Sequence, residues 1–168
     1  AQKSTPTLLS LMDEGVRFTN GYVAHGVSGP SRAAIMTGRA PARFGVYSNT
    51  DAQDGIPLTE TFLPELFQNH GYYTAAVGKW HLSKISNVPV PEDKQTRDYH
   101  DNFTTFSAEE WQPQNRGFDY FMGFHAAGTA YYNSPSLFKN RERVPAKGYI
   151  SDQLTDEAIG VVDRAKTL

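Results

Sequence analysis

The chain has 168 residues, 16 basic and 18 acidic side chains and no cysteine. Its length suits one domain with a sizeable core. The near-neutral charge gives no field for nucleic acid or anionic lipid, and the missing cysteines exclude disulfides, thiolate metal sites and cysteine nucleophiles. No apolar run is long enough to span a membrane, and the start AQKSTPTLL carries no recognisable signal peptide.

In chain order, TPTLLSLMDEG reads as a first helix. Thr5 can cap it, Pro6 suits its first position, Gly15 can end it, and Leu8, Leu11 and Met12 share a face. VRFTNGYV alternates Val16 and Phe18 with Arg17 and Thr19, which predicts a short strand. SRAAIMTG predicts a short helix ending near Gly38. TETFLPELFQNHG predicts another, stopping at Gly71, with Leu63, Leu66 and Phe67 towards the core.

YYTAAVGKW has the small and apolar residues of a buried strand. From Leu82 to Arg116 the pattern dissolves into Pro, Asn, Asp and Gln, which predicts a loop-rich insertion around 83–115. RGFDYFMGFH resumes with aromatics. SDQLTDEAIGVVDRAK predicts a closing amphipathic helix that buries Leu154, Ala158, Ile159 and Val162. Helix–strand alternation of this kind implies an α/β layer with parallel strands.

Two places carry chemistry. GVSGP sets Ser28 before an apolar helical turn, but Pro30 occupies the final glycine of a G-x-S-x-G elbow, so on its own Ser28 reads as a cap or turn residue. GYYTAAVGKWH fails as a phosphate-binding loop, because six residues separate Gly71 from Gly78 and Trp80 follows the lysine. Lys79 and His81 nonetheless leave a strand end, where open α/β sheets bind ligands, and two residues apart on an extended segment they point the same way. A solvated pair is the plainer alternative. His25 lines the Ser28 turn, His70 closes a helix, and His100 lies in the polar insertion. His125 follows the aromatics and could face a ligand.

Taken together, SGPSRAAIMTG resembles the sulfatase signature, matching at Ser28, Pro30, Ser31, Arg32, Thr37 and Gly38, and GKWHL (Gly78 to Leu82) resembles the second signature of that family. TPTLLSLMDEGVRFTNGYV, GRAPARFGVY, RGFDYFMGF and YISDQLTDEAI resemble its flanking segments, so the likeness runs over nearly the whole chain.

The resemblance implies an alkaline-phosphatase-like α/β/α sandwich with a mostly parallel sheet. It also implies a formylglycine-dependent sulfuric ester hydrolase acting on carbohydrate sulfates, as in glycosaminoglycan degradation. In such enzymes the first signature residue is oxidised after translation to formylglycine, whose hydrate is the nucleophile. Ser28 would then be its precursor, and Ser28, Pro30 and Arg32 part of the motif read by a formylglycine-generating or radical serine-modifying enzyme. Arg32 would steady the nucleophile, Lys79 would bind a sulfate oxygen, and His81 would help remove the hydrate's proton. A calcium ion would polarise the sulfate, with matured Ser28 as one ligand. His125 and Tyr131, among small residues after the insertion, are expected to contact the sugar, and part of Leu82 to Tyr132 to set specificity. Periplasmic or secreted location follows from the family alone.

The departures are equally specific. The Asp-Asp pair that precedes this region in the family, and the later Asp-(Asn/His)-Gly metal segment, are not in the chain. The chain is therefore expected to be the N-terminal-central part of a longer catalytic domain that supplies the other calcium ligands. Serine at position 28 fits either a native serine-type enzyme or a replaced cysteine. A phosphonate or phosphate monoester hydrolase of the same superfamily, or a catalytically silent sugar-binding relative, would share much of the pattern.

Overall fold

A computed structural model describes residues 5–87 and 105–167. The chain forms helices α1 (Pro6–Glu14), α2 (Ser28–Thr37), α3 (Asn49–Gln53) and α4 (Leu63–Gln68), then strand β1 (Ala75–Lys79) and the two-stranded ladder β2 (Ile85–Asn87) and β3 (Thr105–Ser107). Strands β4 (Tyr120–Phe124), β5 (Phe138–Lys139) and β6 (Glu142–Arg143) and helix α5 (Ile150–Ala165) follow.

The main sheet has the order β1-β4-β5-β6. β1 runs parallel to β4, pairing Gly78 with Gly123 and Lys79 with Phe124. β4–β5 and β5–β6 are antiparallel. The α/β architecture is as expected, but the described sheet is mixed. Between β5 and β6 the reason is local: Asn140, at φ 53°, turns the chain tightly, which only an antiparallel pair can follow.

Alternation along the strands sends side chains into two layers. Ala75, Val77, Tyr120, Met122 and Phe124 pack with Ile150, Leu154 and Val161 of α5 on one face. Ala76, Trp80, Phe118, Phe121 and Phe138 pack with Ala33 and Met36 of α2 and with Phe62 on the other. Glycine is required where β1 and β4 meet, because a Cβ on Gly123 would collide with the Gly78 carbonyl.

Several expected details change. The segment predicted as a strand at VRFTNGYV has no strand pairing, and Val16 and Phe18 are 81% and 83% exposed. An alternating pattern needs a neighbouring strand to satisfy its backbone, and no described segment lies alongside. α1 forms as predicted but buries no residue. α4 starts at Leu63, and Leu63, Leu66 and Phe67 remain 43–49% exposed. Leu63 and Phe67 line an open groove beside β1 with Met36, Tyr73 and Ala76, while Phe62 and Pro64 enter the core.

In α5 the buried stripe is Ile150 and Val161 with Leu154 partly covered, whereas Ile159 and Val162 are exposed. Glu157 breaks the apolar run of that stripe. It occupies a packing position because it accepts from Tyr120 Oη at 2.5 Å and from Arg164 Nη2 at 2.8 Å. The insertion is a β2–β3 ladder at its base; residues 88–104, with His100, lie outside the described residues.

Candidate active site

α2 begins at Ser28 because Gly29 and Pro30 fit a first helical turn, where a missing N–H costs nothing. Val27 O accepts the first helical bond from Ser31 N, and Gly38 ends the helix in the left-handed region at φ 66°. The free Gly29 N–H is satisfied from outside the helix: it donates to Asn49 Oδ1 at 2.8 Å. Asn49 opens α3, whose N-terminus is fixed by a reciprocal cap between Ser48 and Asp51. His25 takes a local role, accepting from Val27 N through Nδ1 at 3.2 Å, while its carbonyl accepts from Ser31 Oγ at 2.6 Å.

β1 delivers the second half of the site. Arg32 Nε donates to Ser28 Oγ at 3.2 Å, and its Nη1 donates to the Lys79 carbonyl at 2.8 Å. One guanidinium thus ties Ser28 to the strand end. His81 Nδ1 lies 3.3 Å from Ser28 Oγ. Since Arg32 is already a donor, the Ser28 hydroxyl proton is best placed pointing at His81 Nδ1. His81 adopts φ 60°, so the chain turns there and strand alternation does not carry from Lys79 to His81 as expected. The sequence brings Ser28, Arg32, Lys79 and His81 into one cluster across 53 positions.

The cluster is cationic and partly dry. Burial, and then the Arg32 charge, lower the Lys79 pKa. Burial lowers that of Arg32. Burial first, then Lys79 and Arg32, bring His81 down to about 4, so its imidazole is neutral at physiological pH. Among the described residues neither Arg32 nor Lys79 is paired with a carboxylate. His81 Nε2 is buried and has no partner among them. Two cations and a helix N-terminus beside a hydroxyl give surroundings that favour an anion.

The other candidates separate. His125 is 4% exposed and stands edge-on to Phe121 and Phe138, with Nδ1 2.5 Å from Ser107 Oγ. It is part of the core and presents no face to a surface ligand. Tyr131 is 69% exposed and stacked on Tyr149. The loop bearing it leaves the same sheet edge as Lys79, since β1 and β4 are parallel. Asn49 is a structural part of the site that composition and motif left unmarked; it acts through a hydrogen bond to Gly29, 20 positions away, which spacing along the chain cannot reveal.

A metal finds little here. No group of three or more His, Asp or Glu side chains clusters among the described residues, and the Ser28 surroundings carry positive charge. The described residues do not fit a calcium site by themselves; Ser28 alone could contribute an oxygen.

The described chain is thus an α/β domain in which the Ser28 hydroxyl, at the start of α2, lies beside Arg32 of the same helix and the Lys79–His81 end of β1. Comparison with known proteins makes this specific. The family model described as Sulfatase matches residues 1–167, and the chain belongs to the sulfatase family. It is 33% identical over 162 residues to N-acetylglucosamine-6-O-sulfatase of Bacteroides thetaiotaomicron, covering 95% of this chain and 23% of that protein. It is 36% identical over 141 residues to arylsulfatase G of Homo sapiens, covering 79% of this chain and 22% of that protein. Among solved structures it resembles Ps i-CgsB in complex with k-i-k-neocarrahexaose, with a TM-score of 0.75 and 30% identity over 96% of this chain and 36% of that one. The chain thus spans about a quarter of the length of the curated relatives it matches.

Proposed function

We propose that this chain is the nucleophile-bearing part of an enzyme that hydrolyses sulfate esters on carbohydrates. The observation that carries the reading is Ser28 Oγ held between Arg32 Nε and His81 Nδ1 at the start of α2, with Lys79 alongside. A relative named N-acetylglucosamine-6-O-sulfatase and a similar structure in complex with k-i-k-neocarrahexaose support a sulfated sugar as the substrate.

In this reading Ser28 is converted by a separate modifying enzyme to an aldehyde, a two-electron oxidation that removes two hydrogens, and water adds to give a geminal diol. One diol oxygen attacks sulfur; the sulfur–oxygen bond to the sugar breaks and the alcohol leaves with a proton. The second hydroxyl then loses its proton, the carbon–oxygen bond to sulfate breaks, and the aldehyde returns. Arg32 and Lys79 stabilise the charge that builds on the sulfate oxygens. Neutral His81 orients the diol and accepts its proton in the release step, helped by the negative charge that bound sulfate sets against the two cations. A plain serine could accept sulfate but would lack the second hydroxyl needed to expel it. Tyr131 offers a ring face for a sugar. Calcium belongs to this proposal only as an ion held mainly by residues outside the described ones, and no step is assigned to it.

Peptide mass spectrometry of the full-length protein from its native host tests the reading. A loss of two hydrogens at Ser28, with sulfate release abolished in Ser28→Ala, is expected. Active protein that keeps an intact serine overturns it.

A further inference from the structure

His125 is buried, is not at the reacting atoms, and sits at one end of a chain of hydroxyls whose direction can be read. Ser83 Oγ donates to the Trp111 carbonyl at 3.0 Å, and a carbonyl can only accept. Ser83 has one proton and has spent it there, so its oxygen receives the Ser107 proton across 2.6 Å. Ser107 has then spent its own, and its oxygen must take a proton from His125 Nδ1, 2.5 Å away. The order is His125 to Ser107 to Ser83 to Trp111, and every hydroxyl in it is used. The order requires a neutral ring protonated on Nδ1, and burial keeps His125 neutral by lowering its pKa to about 4.

This wire surrounds the turn that carries His81. His81 holds φ 60°, a conformation that residues with a side chain seldom adopt unless their surroundings impose it. Its own N–H donates to the His125 carbonyl at 3.1 Å. On one side of it Trp80 donates its backbone N–H to Phe124 O and its indole N–H to Trp111 O, each at 2.9 Å. On the other side Ser83 meets the same Trp111 carbonyl. Ser107 ends β3, so three segments distant in sequence converge on one tight turn.

We propose that His125 is a positioning residue for His81: through Ser107 and Ser83 it clamps the turn in the conformation that sets His81 Nδ1 against Ser28 Oγ. The proposal rests on the reading of Ser28 and His81 as the reaction centre, but the clamp itself has a readout that does not need turnover.

The test uses three variants of the full-length protein. His125→Phe keeps a ring between Phe121 and Phe138 and removes the donor. His125→Asn puts an amide N–H near the position of Nδ1. Ser107→Ala cuts the wire at its middle with little change in volume. Nitrogen-15 NMR of the imidazoles reports the His81 ring directly. In His125→Phe and Ser107→Ala the His81 Nδ1 resonance is expected to move towards that of a free imidazole, with kcat falling about 10- to 100-fold while KM stays within about two-fold. His125→Asn restores most of both. A folded His125→Phe or Ser107→Ala protein with lower thermal stability but an unchanged His81 resonance and kcat overturns the proposal, because His125 would then be core packing only. Should His125→Phe fail to fold, Ser107→Ala decides alone. If His81→Ala leaves sulfate release intact, the reaction-centre reading falls, and the resonance shift still decides whether the clamp exists.

Discussion

At the scale of single residues, the site works by placing unlike burdens on three neighbours. Burial lowers the pKa of the half-buried Arg32 and Lys79, and beside them His81 is driven neutral. Removing either Lys79 or His81 should therefore harm chemistry far more than folding. For Lys79→Ala and His81→Ala in the full-length enzyme we expect sulfate release to fall about 10²–10³-fold, the usual cost of one preorganised group. The melting temperature should change little, and steady-state kinetics beside a thermal melt would check both halves of the statement. His125 makes a different prediction, about pH. Its folded-state pKa is about 4, below the 6.5 of the free side chain. Between those values the unfolded chain binds a proton that the folded one refuses, so His125 favours unfolding progressively as pH falls from about 6.5 to 4 and has no such effect above. Melts across that range should be flatter for His125→Asn than for the parent, and equal slopes would refute the assignment.

At the scale of elements, the sheet seam and the start of α2 each contain a contact whose removal can be measured. Gly123 faces Gly78 across the parallel pair just before Lys79. Gly123→Ala should push β1 from β4 and cost about 1–3 kcal/mol or more, as overpacking does, measured by denaturant unfolding of the full-length protein. The Gly29 N–H is capped from α3, so Asn49→Ala should cost about 1 kcal/mol in the same measurement. Much of this element level was legible in the chain. Pro6, Gly15 and Gly38 marked helix ends because their backbone demands are local, whereas α4 stops at Gln68, three residues short of Gly71, and Thr5 makes no capping bond; the small apolar run Ala75 to Gly78 lies in β1. What could not be read depended on partners. The buried face of α5 carries Ile150 and Val161 rather than Ile159 and Val162, and Glu157 sits on it bonded to Tyr120 and Arg164, partners that no local pattern reveals. Likewise Ser28, Arg32, Lys79 and His81 were legible as types in a pattern, but His125 was not, because its role is set by Ser107, 18 positions away in the chain.

At the scale of the whole molecule, the described residues leave one side unfinished. β1 is at the edge of its sheet, so its outer backbone groups have no strand partner among the described residues. Beside that edge lies an open groove of about 490 Å³ lined by Met36, Leu63, Phe67, Tyr73 and Ala76. Towards the start of the chain Leu8, Leu11, Val16, Phe18, Tyr22 and Val23 are all more than half exposed. An unpaired edge strand next to so much apolar surface is a template for association, which proteins in solution normally cover or blunt with charge. The relatives are about four times as long as the matched region, which leaves ample chain to cover it. Residues 1–168 produced alone should therefore bind a hydrophobic dye strongly and self-associate as concentration rises. The full-length protein should do neither, and the fluorescence of bound dye alongside sedimentation velocity would compare them. A monomeric, dye-silent 168-residue protein would mean that the exposed edge and the N-terminal apolar residues find cover within the chain itself.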